Sequence, residues 1–477
     1  MVTGEERIAI PRIMIAATRK SSGKTTLCIG IAAALRGRGL DIRPFKKGPD
    51  FIDPSWLTRA AGRPCRNLDY FMMGRAGVRS GFFRHALGAD LALIEDNHGF
   101  FDGQDPLGSD CGAALAADLE APVVLVVDCR GATRGIVPVV LGHLAFQGGE
   151  TIQGIILNHV ASARQEKRLR AAMRQHVPLP VLGAVIRGRD VGIEERHLGL
   201  HPAMEQEELA GKIKAITAMV EDSVDLDGLL DLGHRAMLPS SPPPVRDSRP
   251  EALAIAVSST RAGGARIKVG YAMDRAFHFY YPDNLEALAD EGIELVRFSL
   301  LEDDRLPSGI QGLYIGGGFP EVFMNRLEGN AALMEDLRRK GAEGMPIYAE
   351  CGGLMVLAQR IYWGDRAAAM AGVLPVEVAM NHRPQGHGYL ELEGTGRTSW
   401  PGEGVRVHCH EFHYSRILPN DANLDFAFRV LRGTGVDGRH DGLIHRNCLA
   451  GYAHFHAAGF PGWARFLADF WRRGAVV

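Results

Sequence analysis

The sequence has no apolar run of the roughly 18 residues that a membrane span requires. It has no CxxC pair among its seven scattered cysteines. That spacing excludes a zinc ribbon or a disulfide framework and fits a reducing cytoplasm, the expected location. Charge of one sign is also lacking: 54 basic residues face 56 acidic ones, so no nucleic-acid footprint is present. The opening segment, MVTGEERIAIPR, is short and carries two glutamates ahead of any apolar stretch, so no signal peptide is expected. No internal repeat is present. One more absence matters. The stretch RIMIAATRKSSGKTT approaches the phosphate-loop pattern G-x-x-x-x-G-K-[ST], but Thr18 stands where the first glycine belongs.

What remains is globular: 477 residues, 46% hydrophobic and 23% charged, too long for one ordinary core. The run LPSSPPPVRDSRPEA cannot sustain helix or strand and predicts a linker over residues 238–265. Before it, RIMIAAT, LALIED, PVVLVVD and IQGIILNHV read as buried strands alternating with helices. After it, RIKVGYAM, GIELVRFS, GLYIGGG and MPIYAE repeat the pattern. The alternation predicts two α/β domains, 1–237 and 266–477, each on a parallel sheet.

RIMIAAT followed at once by a helical run is the strand–loop–helix context of a nucleotide site. Gly23 and the helix N-terminus would bind the anion, Lys24 would reach the terminal phosphates, and the Thr25 hydroxyl could bind magnesium. Thr26 continues the motif, and Arg19 or Lys20 could add positive charge. Lys46, Lys47, Asp50 and Asp53 cluster after the next strand, a set suited to a metal–phosphate site. Glu95 ends another buried strand, where open α/β sheets place ligand groups, and Asp102 follows. Between them HGFF offers two rings that could pack on a flat molecule or on the core.

In the second half, PIYAECGGLMVLA sets Cys351 at a strand-to-helix turn, a nucleophile position. Gly316, Gly317 and Gly318 form a loop able to offer N–H donors to an oxyanion. A base is needed, and LAGYAHFHAAG offers His454 or His456.

Taken together, SSGKTT, RPFKKGPDFIDP, FFDG, YIGGGFPE, YAECGGLM, HEFHYS and GYAHFH, in this order, resemble the cobyrinic acid a,c-diamide synthase family. The resemblance covers nearly the whole chain. It implies an ATP-dependent, dethiobiotin-synthetase-like P-loop domain joined to a class I glutamine amidotransferase domain. Such enzymes amidate carboxylates of a corrin or related tetrapyrrole with magnesium, ATP and L-glutamine. By the same resemblance Asp50, Asp53, Glu95 and Asp102 match acids of the synthetase site. Thr25, Asp53 and Glu95 fall near magnesium, Asp50 near substrate and Asp102 in catalysis. Lys46 joins the nucleotide site, and Asn158 lies where such folds recognise adenine. Cys351 matches the glutaminase nucleophile and His454 its base, with Gly317 and Gly318 on the glutamine. The position two residues after the histidine, often Glu in class I domains, is His456, which predicts a bare Cys–His dyad. RKSSGKTT, FKKGPD and EDNHGFFDGQD look closer to siroheme-amidating relatives, so siroheme and nickel-sirohydrochlorin are alternative rings. A MinD-like ATPase would need no Cys351, and a stand-alone glutaminase no Lys24. No nucleic acid or membrane partner is expected, and a homodimer is compatible with the sequence.

Overall fold

The computed structural model describes residues 7–188, 195–196, 199–200, 209–239, 266–419, 423–460 and 462–474. The chain divides into two compact units, the first of residues 1–70 and 74–247 and the second of residues 71–73 and 248–477. From residue 240 onward the expected linker lies outside the described residues. Among the described residues no helix is long and apolar enough to cross a membrane.

The first unit is a seven-stranded, all-parallel sheet. Its strands are β1 (Arg12–Ala17), β2 (Ile42–Lys47), β3 (Arg66–Leu68), β4 (Leu91–Glu95), β5 (Val123–Asp128), β6 (Ile152–Val160) and β7 (Val181–Ile186). Their order across the sheet is β3-β2-β4-β1-β5-β6-β7. Every residue of β1 and β4 is buried, as strands covered on both faces must be. Helix α1 (Lys24–Gly37) follows β1, and α2 (Ile52–Ala61) follows β2. Register decides what meets at the C-terminal edge. Ile15 and Lys46 both pair with Glu95, and Asp128 pairs with Asn158. The edge where such sheets bind ligands therefore gathers Lys46, Glu95, Asp128 and Asn158 with the loop after β1.

The second unit carries a nine-stranded mixed sheet. β8 (Ile267–Ala272), β10 (Ile293–Phe298), β11 (Gly312–Ile315), β13 (Ile347–Glu350) and β18 (Cys448–Gly451) pair in parallel. β14 (Gly386–Gly394), β15 (Arg406–His413), β16 (Asp425–Arg432) and β17 (His440–His445) extend it antiparallel. The order is β10-β8-β11-β13-β18-β17-β16-β14-β15. A small ribbon joins β9 (Phe277–Phe279) to β12 (Gly317–Gly318). The parallel half matches the expectation from sequence; the antiparallel half is additional.

Candidate functional site

The loop between β1 and α1 accommodates the missing glycine. Its left-handed positions are Ser21 and Gly23, with φ of 58° and 87°, and Thr18 is not one of them. Glycine is required at 23, where an added Cβ would lie 2.2 Å from Asn158 Nδ2. Asn158 Nδ2 donates to Ser22 O at 2.7 Å, so in this structure its amide braces the loop. Arg19 is drawn to Asp128, a buried acid at the end of β5. Asp128 also accepts from Arg130, at 2.7 Å, and contacts His159. Lys24 Nζ donates to His98 O at 2.6 Å. Thr26 is half-buried in the first turn of α1.

Thr25, Asp53 and Glu95 converge as expected, around a cation the chain itself supplies. Lys46 Nζ donates to Asp53 Oδ2 at 2.6 Å and to Glu95 Oε1 at 2.9 Å. Thr25 Oγ1 donates to Glu95 Oε1 at 2.6 Å and lies 3.3 Å from Asp53 Oδ2. Burial opposes the Lys46 charge, but Asp53 and Glu95 outweigh it and raise its pKa well above that of an ordinary lysine. Burial likewise opposes ionisation of Asp53, and Lys46 reverses that and holds the carboxyl low. Glu95 is pushed up by burial, with Lys46 only partly offsetting it. Its second oxygen, Oε2, is buried and has no hydrogen-bond partner. These residues fit a magnesium ion. A cation already sits among them, and one acid oxygen is unclaimed. Two carboxylates, a hydroxyl and bound phosphates are what magnesium prefers.

Asp50 is half-buried and accepts the N–H of Ile52 at 2.8 Å, at the start of α2. Burial and then Asp53 push its carboxyl up. Asp102 is exposed, and its Oδ2 accepts the N–H of Gly99 at 2.9 Å. That turn is tied to the phosphate loop, since Phe100 N donates to Ala17 O at 2.8 Å. Of the two rings in HGFF, Phe100 is fully buried and belongs to the core. Phe101 is half-buried and packs edge-on against Phe146 at 4.8 Å. Sequence reasoning missed Asp96, whose two carboxylate oxygens are buried without hydrogen-bond partners beside Glu95.

In the second unit Cys351 occupies a strained turn, φ 50° and ψ −104°, between β13 and the short helix Gly352–Leu357. Its N–H donates to Gly451 O at 2.7 Å. Only glycine fits at 353, since a Cβ there would lie 2.1 Å from Ile315 O. The glycine loop is equally tight. A Cβ on Gly352 would meet Gly318 N at 3.0 Å, and one on Gly317 would meet His454 Cε1 at 2.6 Å. Cys351, Gly317, Gly318 and His454 thus belong to one locality, as expected. Burial, followed by the charge of Glu321, pushes the thiol up, so a base must take its proton.

The two histidines of the GYAHFH stretch have different surroundings. His456 Nδ1 accepts the N–H of Ala458 at 3.2 Å, capping a helical turn. His454 Nδ1 is 3.2 Å from Glu350 Oε2, a carboxylate next to the nucleophile in the chain. Both side chains are buried.

Comparison with known proteins identifies both halves of the chain. Residues 13–199 match the CobQ/CobB/MinD/ParA nucleotide binding domain, and residues 268–461 the CobB/CobQ-like glutamine amidotransferase domain. The chain is 53% identical over 466 residues to a protein of Magnetococcus marinus named cobyrinate a,c-diamide synthase, covering 97% of each. It is 38% identical to one of that name from Methanothermobacter thermautotrophicus, covering 97% of this chain and 99% of the other. With a nucleotide-binding unit and a glutamine amidotransferase unit both matched, and relatives of that name covering 97% of it, the chain belongs to the cobyrinate a,c-diamide synthase family.

Proposed function

We propose that the protein makes amides from peripheral carboxylates of a tetrapyrrole, cobyrinate first among them, using ATP and glutamine. The observation that carries this reading is the coexistence of two half-sites in one chain: a phosphate loop beside Thr25, Asp53 and Glu95, and a Cys351 elbow beside His454. The cobyrinate ring comes from the name of its full-length relatives. Residues 1–237 act as the synthetase domain and 266–477 as the glutaminase.

A carboxylate is a poor acyl donor. Its oxygen attacks the γ-phosphorus of ATP, ADP leaves, and an acyl phosphate forms. Lys24 and the loop N–H groups, Gly23 among them, neutralise the phosphates, while Asp50 and Asp102 border the acceptor carboxylate. Lys46 and Thr26 face the nucleotide, and Asn158 the adenine once the nucleotide is bound. Magnesium held by Thr25, Asp53 and Glu95 would neutralise charge on the transferring phosphoryl group. In the glutaminase, the Cys351 thiol gives its proton to His454 and sulfur attacks the amide carbon. N–H groups of Gly317 and Gly318 bind the oxyanion. The C–N bond breaks as His454 returns the proton, releasing ammonia. Water then hydrolyses the thioester to glutamate and free Cys351. Ammonia displaces phosphate from the acyl phosphate to give the amide.

The test is incubation with cobyrinic acid, magnesium–ATP and glutamine, with the a,c-diamide read by mass spectrometry. Parallel runs with hydrogenobyrinic acid, siroheme and nickel-sirohydrochlorin read the ring preference. Cys351→Ala should lose glutamine-dependent amidation and keep synthesis from added ammonia. No amide on any ring, with either nitrogen donor, would refute the reading.

A further inference from the structure

We propose that Glu350 is the positioning residue of the glutaminase, holding His454 and stabilising the imidazolium that forms when Cys351 gives up its proton. The inference rests on the glutaminase reading above and extends it to a residue outside the expected dyad.

Three observations place Glu350 in that role. Its Oε2 lies 3.2 Å from His454 Nδ1, within hydrogen-bond range. Its other oxygen, Oε1, accepts from Tyr348 Oη at 2.8 Å, and Trp463 Nε1 donates to that same Oη at 3.4 Å. The carboxylate is therefore held at both ends by buried groups and cannot swing to solvent. His454 is fixed from other directions as well. Its N–H donates to His410 O at 2.8 Å, and the two imidazoles stack at 5.0 Å. A ring whose Nδ1 carries its hydrogen toward a carboxylate presents Nε2 as the acceptor nitrogen. The Nε2 side of the ring faces the glycine loop, since a Cβ on Gly317 would lie 3.2 Å from it.

The charge balance gives Glu350 its purpose. Cys351 is buried, and the nearby carboxylates of Glu321, Glu350 and Asp441 all disfavour a lone thiolate. Transfer of the thiol proton to Nε2 creates thiolate and imidazolium together. The carboxylate of Glu350, 3.2 Å from Nδ1, then neutralises the imidazolium rather than opposing the thiolate. A Glu adjacent to the nucleophile on β13 thus serves in place of the Glu that the class I pattern would put two residues after the histidine, where this chain has His456. Adjacency along the chain does not require adjacency of direction. Glu350 lies on the same side of the strand as Tyr348, two residues back.

The experiment compares Glu350→Gln, which keeps the shape but not the charge, with Glu350→Asp, which keeps the charge on a shorter arm. Glutamine hydrolysis is measured on the full chain without any tetrapyrrole, so the result stands whichever ring is the substrate. For Glu350→Gln, kcat should fall by about 10²–10⁴-fold while KM for glutamine stays within about threefold. Glu350→Asp should recover part of the lost kcat, and ammonia-dependent amidation should be unchanged in both. A Glu350→Gln kcat within about twofold of wild type would overturn the proposal. So would loss of the folded state, or equal loss with glutamine and ammonia, since either would assign Glu350 a purely structural task. Failure of the wild type to amidate any tetrapyrrole while hydrolysing glutamine would instead count against the proposed function alone.

Discussion

Lys46 offers a quantitative test, because it replaces an ion that the nucleotide is expected to bring. Its ammonium is 1% exposed and touches both Asp53 and a fully buried Glu95. Replacing it with methionine fills the same space and removes the charge. Truncating one partner of a buried ion pair costs about 3–5 kcal/mol, because the other charge is left in a low-dielectric site. For a unit of this size that is a fall in Tm of roughly 6–20 °C, at about 2–4 °C per kcal/mol. The sign with pH follows from Glu95, whose folded pKa is already above its ordinary value through burial. Without Lys46 it rises further, so the folded state holds an extra proton that the unfolded state does not. The penalty is then largest near pH 8 and shrinks as the pH falls toward the acid range. Magnesium provides the second arm. In Lys46→Met the vacated position among Thr25, Asp53 and Glu95 is open to a divalent ion, so millimolar magnesium should raise its Tm more than that of the wild type. Scanning calorimetry at about pH 6 and pH 8, with and without magnesium, reads all four conditions. A Tm within about 1 °C of wild type at pH 8 would refute the buried-pair argument. Equal magnesium shifts in both proteins would refute the shared site.

Lys24→Ala should abolish magnesium–ATP binding in calorimetry and leave glutamine hydrolysis intact; unchanged nucleotide affinity would show the loop to be unused. Gly353→Ala should destabilise the second unit by about 1–3 kcal/mol or more, because the new Cβ would sit 2.1 Å from Ile315 O; an unchanged Tm would contradict the close approach. Asp441 is buried, which pushes its carboxyl up to about 6. Its protonated form therefore stabilises the fold fully below the unfolded pKa, and that contribution, about 3 kcal/mol, is lost as pH rises through about 6. Asp441→Asn should flatten the dependence of unfolding free energy on pH between about 4 and 6 in denaturant titrations, and an identical slope would exclude Asp441 as its source.

The nucleotide half of the site was legible in the sequence because its chemistry is contiguous. A buried strand, a loop and a helix follow one another, and Gly23, Lys24 and Thr25 occupy consecutive positions. Asp53 and Glu95 could also be named, since each stands at the edge of a recognisable element. Their meeting on Lys46 was not legible, because it depends on the register of β2 against β4, and register is a property of the assembled sheet. The same holds for Asn158. Its position opposite Asp128 was set by pairing between β5 and β6, and its bond to Ser22 closes across a gap of 136 residues. The antiparallel strands of the second unit are not legible in the sequence for a different reason. β15 reads RVHCHEFH and β16 reads DFAFRVLR, strands whose charged and apolar residues give no long apolar run.

Glu350 shows how a sequence expectation can hide a signal that was present. Two residues after His454 the sequence has His456 and no carboxylate, which by itself predicts a dyad. Yet the run IYAEC already contained the alternative. In a strand, residues two apart share a face, so Tyr348 and Glu350 point together, and a glutamate at a buried strand end needs partners. Tyr348 supplies one at 2.8 Å. The second had to come from across the parallel pairing of β13 with β18, where Glu350 is in register with Gly451, three residues before His454. A histidine leaving the end of a strand adjacent to the nucleophile's strand is within reach of a carboxylate at that neighbour's end. The orienting acid is therefore fixed by which two strands are neighbours, and not by its spacing from the histidine along the chain.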